Sequence, residues 1–177
     1  MQKSTFTLIV ATSLDGYIAR TSHTNSHMDW ASKEDWEFFQ SKLAHMDAVI
    51  VWRHTFCVAE SRLRKRKTYV LTHAQEEIIK DGSVTWINPD ISDIGEVLAQ
   101  GNHKNIAILW GKNVYSWAIE HGYCNELFLT IEPILLGSGV RFLGTLSEHK
   151  LRLESSSILN NRWSILLHYI LTWSSHR

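Results

Sequence analysis

The chain has 177 residues, enough for one domain (1–177) to bury a core without metal or disulfide staples. Lysine plus arginine and aspartate plus glutamate balance at 18 each, so no global field draws the chain to nucleic acid or to a membrane surface. Two cysteines, Cys57 and Cys124, show no CxxC or Cys/His spacing; they exclude a disulfide framework and fit a reducing cytoplasm.

The apolar run Leu8–Ala11 is too short for a signal segment or a membrane span, and Phe6–Thr12 reads as a buried strand. It opens into a polar turn at Asp15-Gly16. Lys33–His45 has helical spacing with Ser32 as N-cap, and Ala48–Trp52 is a short apolar strand. Arg53–Leu63 continues as turn and helix. Thr68–Thr72 is β-branched and aromatic, hence a strand, and Val84–Ile87 is another. Ser92 caps a helix that runs to about Gln100 and stops at Gly101-Asn102. Ile106–Trp110 is a fully apolar strand and Asn113–Glu120 a helix ended by Gly122. From there the alternation ceases: Glu126–Glu132, Lys150–Ile158 and Arg162–Thr172 are strands, the last two joined by an Asn160-Asn161 hairpin turn. This order predicts an α/β fold: a mixed, mainly parallel sheet, helices on both faces, antiparallel strands at the C-terminus. Ligands in such sheets bind at the carboxyl ends of the strands.

Three local patterns carry chemistry. Asp35, Phe38 and Phe39 stand at i, i+3 and i+4 of a helix and share a face, an arrangement suited to a flat nitrogen heterocycle. The same residues also suit a plain helix start, with Asp35 favouring the dipole and both rings in the core. The junctions at Trp52-Arg53-His54-Thr55 and Trp110-Gly111-Lys112-Asn113 each leave a buried strand for a helix, offering free N–H groups and basic side chains to phosphates. The basic run from Arg62 to Lys67 is either a solvated loop or a site for an additional phosphate. His23 and His27, at i, i+4 in a Ser/Thr/Asn-rich loop, do not make a metal site, and Asp15 before a glycine either orders its turn or touches substrate.

The ordered motifs SLDGYIA (Ser13–Ala19), MDW (Met28–Trp30), DAVIVWRHTF (Asp47–Phe56) and NELFLTIEPILLGSGVRFL (Asn125–Leu143) resemble the dihydrofolate reductase-like superfamily. They resemble most closely the reductase domain of bacterial bifunctional riboflavin-biosynthesis proteins, in stand-alone form and without a zinc-deaminase signature. The resemblance implies a cytoplasmic, NADPH-dependent reductase of a small-molecule substrate, often a homodimer. It places Asp35 at the acid that holds the substrate edge, supported by a hydrogen bond from Thr130. It implies cofactor contacts at Ala11, Thr12, Ile18 and Ala19, at Arg53, His54 and Thr55, at Leu71, Thr72 and His73, and at Gly111, Lys112, Asn113, Val114 and Tyr115. Asp15, Phe38 and Phe39 fall on the substrate side.

Two tryptophans break the pattern. Trp52 and Trp110 stand where the family usually has glycines that let backbone approach the cofactor. Since both strands end at one sheet edge, their rings are expected side by side. They leave three outcomes: the rings swing aside and NADPH binds, they line a remodelled pocket, or they fill the cleft of a silent, non-catalytic dimer. The reading adopted is a reductase of a nitrogen heterocycle or a ribosylaminopyrimidine of riboflavin synthesis, with dihydrofolate reduction as the enzymatic alternative.

Overall fold

The computed structural model of the chain describes residues 4–21 and 29–172. Met28, the His23/His27 pair and Trp173 lie outside the described residues. The first half comprises β1 (Thr5–Ser13), β2 (Tyr17–Ala19), α1 (Lys33–Ala44), β3 (Ala48–Trp52), α2 (Arg53–Leu63), β4 (Lys67–Leu71), β5 (Ile79–Asp81) and β6 (Val84–Ile87). The second comprises α3 (Ile94–Gln100), β7 (Asn105–Ile108), α4 (Lys112–Glu120), β8 (Glu126–Glu132), β9 (Val140–Arg141), β10 (Leu151–Ile158) and β11 (Ile165–Leu171). No helix among the described residues is long and apolar enough to cross a membrane.

Nine strands form one sheet in the order β10-β11-β8-β1-β7-β3-β4-β6-β5, with β2 and β9 pairing apart from it. Every pairing from β8 to β6 is parallel, and both edges are antiparallel. The central strands are apolar on successive residues because helices cover both faces. Leu8, Val10, Ile50, Leu71, Ile106 and Ile108 pack under α3 and α4. Their neighbours Ile9, Val49, Val51, Val70, Ala107 and Leu109 pack under α1 and α2. The mixed, mainly parallel sheet expected from the sequence is therefore present.

The departures have local causes. Asp93, not Ser92, caps α3, its carboxylate accepting the Glu96 N–H at 3.1 Å. The last hairpin is not a two-residue Asn160-Asn161 turn. Leu159 N–H bonds the Ser164 carbonyl across a four-residue loop in which Asn160 Oδ1 accepts the N–H groups of Arg162 and Ser164. Strand β11 consequently starts at Ile165 instead of Arg162. Strand β7 stops at Ile108, and α4 begins at Lys112, one residue before the expected Asn113.

Candidate functional site

The site begins where two parallel strands part. Strand β1 pairs with β7 only from Thr5 to Leu8, yet runs on beside β8 to Ser13. Beyond Leu8 the β7 side of β1 opens at the carboxyl end of the sheet, the place where such folds take ligands. Ala11 and Thr12 are buried there and paired with Thr130 and Ile131. The opening is bridged by Tyr115 from α4, whose buried hydroxyl accepts the Trp110 N–H at 2.8 Å and donates to the Ile9 carbonyl at 3.2 Å. Burial pushes this phenol well above its ordinary range. The side chains of Val114 and Tyr115 thus belong to the core, and only their backbone can face a cofactor.

Helix α1 brings the acid. Ser32 Oγ accepts the Asp35 N–H at 3.2 Å, as an N-cap should, and Asp35 is 6% exposed. Thr130 projects from the α1-facing side of β8 and hydrogen-bonds the carboxylate. Burial raises the Asp35 pKa above the ordinary carboxylate value; the Thr130 bond opposes this and the nearby Glu132 adds to it. The two rings expected to flank the acid separate. Phe39 lies between Trp36 and Trp110, at 5.5 Å from each, whereas Phe38 packs on Phe128. Phe38 thus packs in the α1–β8 contact, its ring tilted on Phe128.

The two strand-to-helix junctions lie side by side, since β3 and β7 are neighbours. Trp52 caps α2 and Gly111 caps α4, and neither supplies a side-chain hydrogen bond, so both sets of first-turn N–H groups point outward without a cap. Arg53, His54, Lys112 and Asn113 are exposed at these starts. Thr55 is not available as expected: its hydroxyl donates to the Trp110 carbonyl, tying one junction to the other. Gly111 has φ +136°, and a Cβ there would meet Thr55 Oγ1 at 3.4 Å, so the glycine is required by its backbone.

The indoles do not lie together. Trp52 follows the strand alternation onto the α3/α4 face and packs 5.1 Å from His73. Trp110 would follow it, but φ +53° turns its ring to the α1/α2 face against Phe39. A bulky residue in this region costs roughly 1–3 kcal/mol, held here by the Tyr115 and Thr55 bonds on either side of Trp110. Each ring therefore lines its own cleft. An open one of about 410 Å³ is lined by Trp52, Arg53, His54, Cys57, Thr72 and His73. Beside it Leu71 is buried in β4, and His73 Nδ1 lies 2.7 Å from Asp90. The other, of about 280 Å³ between α1 and α2, carries Trp36 and Trp110 with Arg62, Lys65 and Arg66.

The basic run is thus redirected. Its Arg64 pairs with Glu60 and Asp81, Lys67 donates to Thr85, and the three remaining cations face the Trp110 cleft instead of Thr72 and His73. Asp15 likewise serves the loop. Its carboxylate accepts the Ser13 hydroxyl at 2.6 Å and the N–H groups of Leu136 and Gly137 at 3.1 and 2.7 Å, which hold its pKa down to about 2. Ile18 and Ala19 sit in the β2–β9 ribbon that this latch anchors. One buried group was missed from sequence: Glu132, at the end of β8, is 1% exposed and reaches both Ser32 and Ser164.

A model of the RibD C-terminal domain matches residues 4–165. The chain is similar to protein YwjB of Bacillus subtilis (strain 168), 27% identical over 92% of this chain and 95% of that one. Its fold is similar to that of Acinetobacter baumannii RibD, with a TM-score of 0.74 at 18% identity over 97% of this chain and 59% of that one. It is also similar to dihydrofolate reductase from Enterococcus faecalis complexed with NADP(H), with a TM-score of 0.64 at 20% identity over 94% and 96% of the two chains. The fold is dihydrofolate reductase-like.

Proposed function

The chain belongs to the RibD C-terminal domain family, and on that premise we propose that it is an NADPH-dependent reductase of a small nitrogen heterocycle, of the ribosylaminopyrimidine-reductase kind in riboflavin synthesis. The observation that carries the reading is the pair of adjacent, uncapped helix starts at Trp52-Arg53 and Gly111-Lys112, within one sheet edge of the buried Asp35–Thr130 pair. Their outward N–H groups and basic side chains fit a diphosphate, and the cleft of Trp52, Thr72 and His73 fits the adenosine end. NADPH, when bound, supplies the hydride. The chain's own residues do the rest. Asp35 accepts hydrogen bonds from the substrate's polar edge or gives it a proton, Thr130 orients the carboxyl, and Phe39 and Trp110 exclude water. Arg62, Lys65 and Arg66 suit a substrate phosphate at the mouth of the α1–α2 cleft. A homodimer fits the edge strand β10, which exposes Leu151, Leu153 and Ile158.

One observation favours a second reading. Trp110 already packs against Phe39 with its ring tilted, 5.5 Å between centroids, where a substrate ring would lie, so a ligand-binding protein without turnover is the competitor. Titration with NADPH, followed by quenching of tryptophan fluorescence with NADH as control, decides between them. Saturable binding that prefers NADPH supports the reductase. Absence of binding at millimolar cofactor, recovered in a Trp52→Gly/Trp110→Gly variant, supports the competitor.

A further inference from the structure

Glu132 has no role in the site as described, yet its surroundings are built. Oε1 accepts both the N–H and the hydroxyl of Ser32, at 2.8 and 2.6 Å, and Oε2 accepts the Ser164 hydroxyl at 2.5 Å. These donors come from the cap of α1 and from the loop before β11, so one side chain fastens three segments. All three are neutral. They satisfy its oxygens by hydrogen bonds alone, with no arginine or lysine partner among these contacts.

Asp35 stands two hydrogen bonds away, through Ser32. The same Ser32 hydroxyl that donates to Glu132 accepts the Asp35 N–H, and Thr130, two residues before Glu132 on the same side of β8, bonds the Asp35 carboxyl. We propose that Glu132 is a positioning residue for Asp35: a second buried carboxylate that pins the first turn of α1 against β8 and keeps a proton on the acid facing the substrate. This deepens the reductase reading and rests on Asp35 being its acid. The raised Asp35 pKa agrees: burial is its main cause, and Glu132 is the like charge that adds to it.

The other titratable groups around α1 do not serve in its place. Tyr115 from α4 is kept neutral by burial. Lys33 pairs with Glu37 at 2.9 Å, and Glu34 receives Asn160 at the surface. Lys42 lies 4.1 Å over the Phe128 ring, on which His168 of β11 also stacks. None of these bonds Asp35 or Ser32 among the contacts described. A proton kept on Asp35 to higher pH is one that it can donate to a ring nitrogen or exocyclic atom, leaving the carboxylate behind.

The test is a carboxyl-carbon NMR titration of the full chain, labelled at Asp and Glu, with neither cofactor nor substrate present. In Glu132→Gln, which keeps the shape and an acceptor for Ser32, the Asp35 midpoint is expected to fall by about one pH unit. An unchanged midpoint in the folded variant would overturn the proposal, since a merely structural Glu132 leaves it in place. If the variant does not fold, the unmodified protein decides. There the Glu132 carbon is expected to show an inflection at the Asp35 midpoint, and its absence sinks the coupling. Failure of NADPH binding with the coupling intact removes the reductase reading and leaves the pair standing.

Discussion

Replacing Tyr115 with phenylalanine tests how the cleft is held open. The ring stays, so no cavity forms, but one hydroxyl disappears from a fully buried position. Two groups lose their partner, the Trp110 N–H and the Ile9 carbonyl. At the lower end of about 1–3 kcal/mol per group, leaving one buried donor and one acceptor short costs about 2–3 kcal/mol. Against this, Trp110 is released from a left-handed backbone, returning about 1 kcal/mol. The net loss is about 1–2 kcal/mol, and a chain of this length converts that into a fall in Tm of roughly 2–8 °C. Urea denaturation with unchanged m-value measures it, and amide exchange at Trp110 locates it. A loss below about 0.3 kcal/mol, within the scatter of additive sites, together with undiminished protection at Trp110, would refute the reasoning. It would mean that water replaces the hydroxyl, and that the bridge between β1 and β7 is not what sets the Trp110 conformation.

Four further outcomes are expected. Asp35→Asn changes the pH profile of stability: the raised native pKa means that the wild type binds more protons folded than unfolded, so its stability falls as pH climbs from about 4 through that midpoint. The asparagine variant lacks this fall and gains on the wild type towards neutral pH, as parallel denaturant series will show. Arg53→Ala weakens NADPH binding about tenfold or more by losing a charge-assisted phosphate contact, read from the fluorescence titration; an unchanged Kd removes Arg53 from the site. Asp15→Asn frees the loop at Leu136 and Gly137, raising amide exchange there while β8 stays protected. Because the Asp15 pKa is held near 2, the wild-type latch persists above about pH 4 and is lost as pH falls towards 2. Leu153→Lys on the exposed edge strand shifts sedimentation from dimer to monomer; a wild type that is already monomeric at high concentration removes the dimer.

Periodicity made the scaffold legible, while the site depends on what periodicity does not encode. Ala48–Trp52, Arg53–Leu63, Val84–Ile87 and Glu126–Glu132 have the bounds read from sequence because their apolar runs end in unambiguous breaks. Strands β2 and β9, three and two residues long, and the wholly exposed β5 carry no hydrophobic period, so they were not foreseen. Trp110 shows the deeper limit. Strand alternation puts it beside Trp52, and only the Tyr115 and Thr55 hydroxyls, recruited from two helices, turn its backbone and send the indole to Phe39. The basic run shows the same at longer range. Its charge was plain, but its direction follows from Arg64 being taken by Glu60 and Asp81, which leaves Arg62, Lys65 and Arg66 towards α1. Glu132 had no signal in isolation, since an acid ending a strand reads as solvated. Its enclosure is created by Ser32 and Ser164, 100 and 32 residues away, and a pairing across such separations leaves no trace in local pattern.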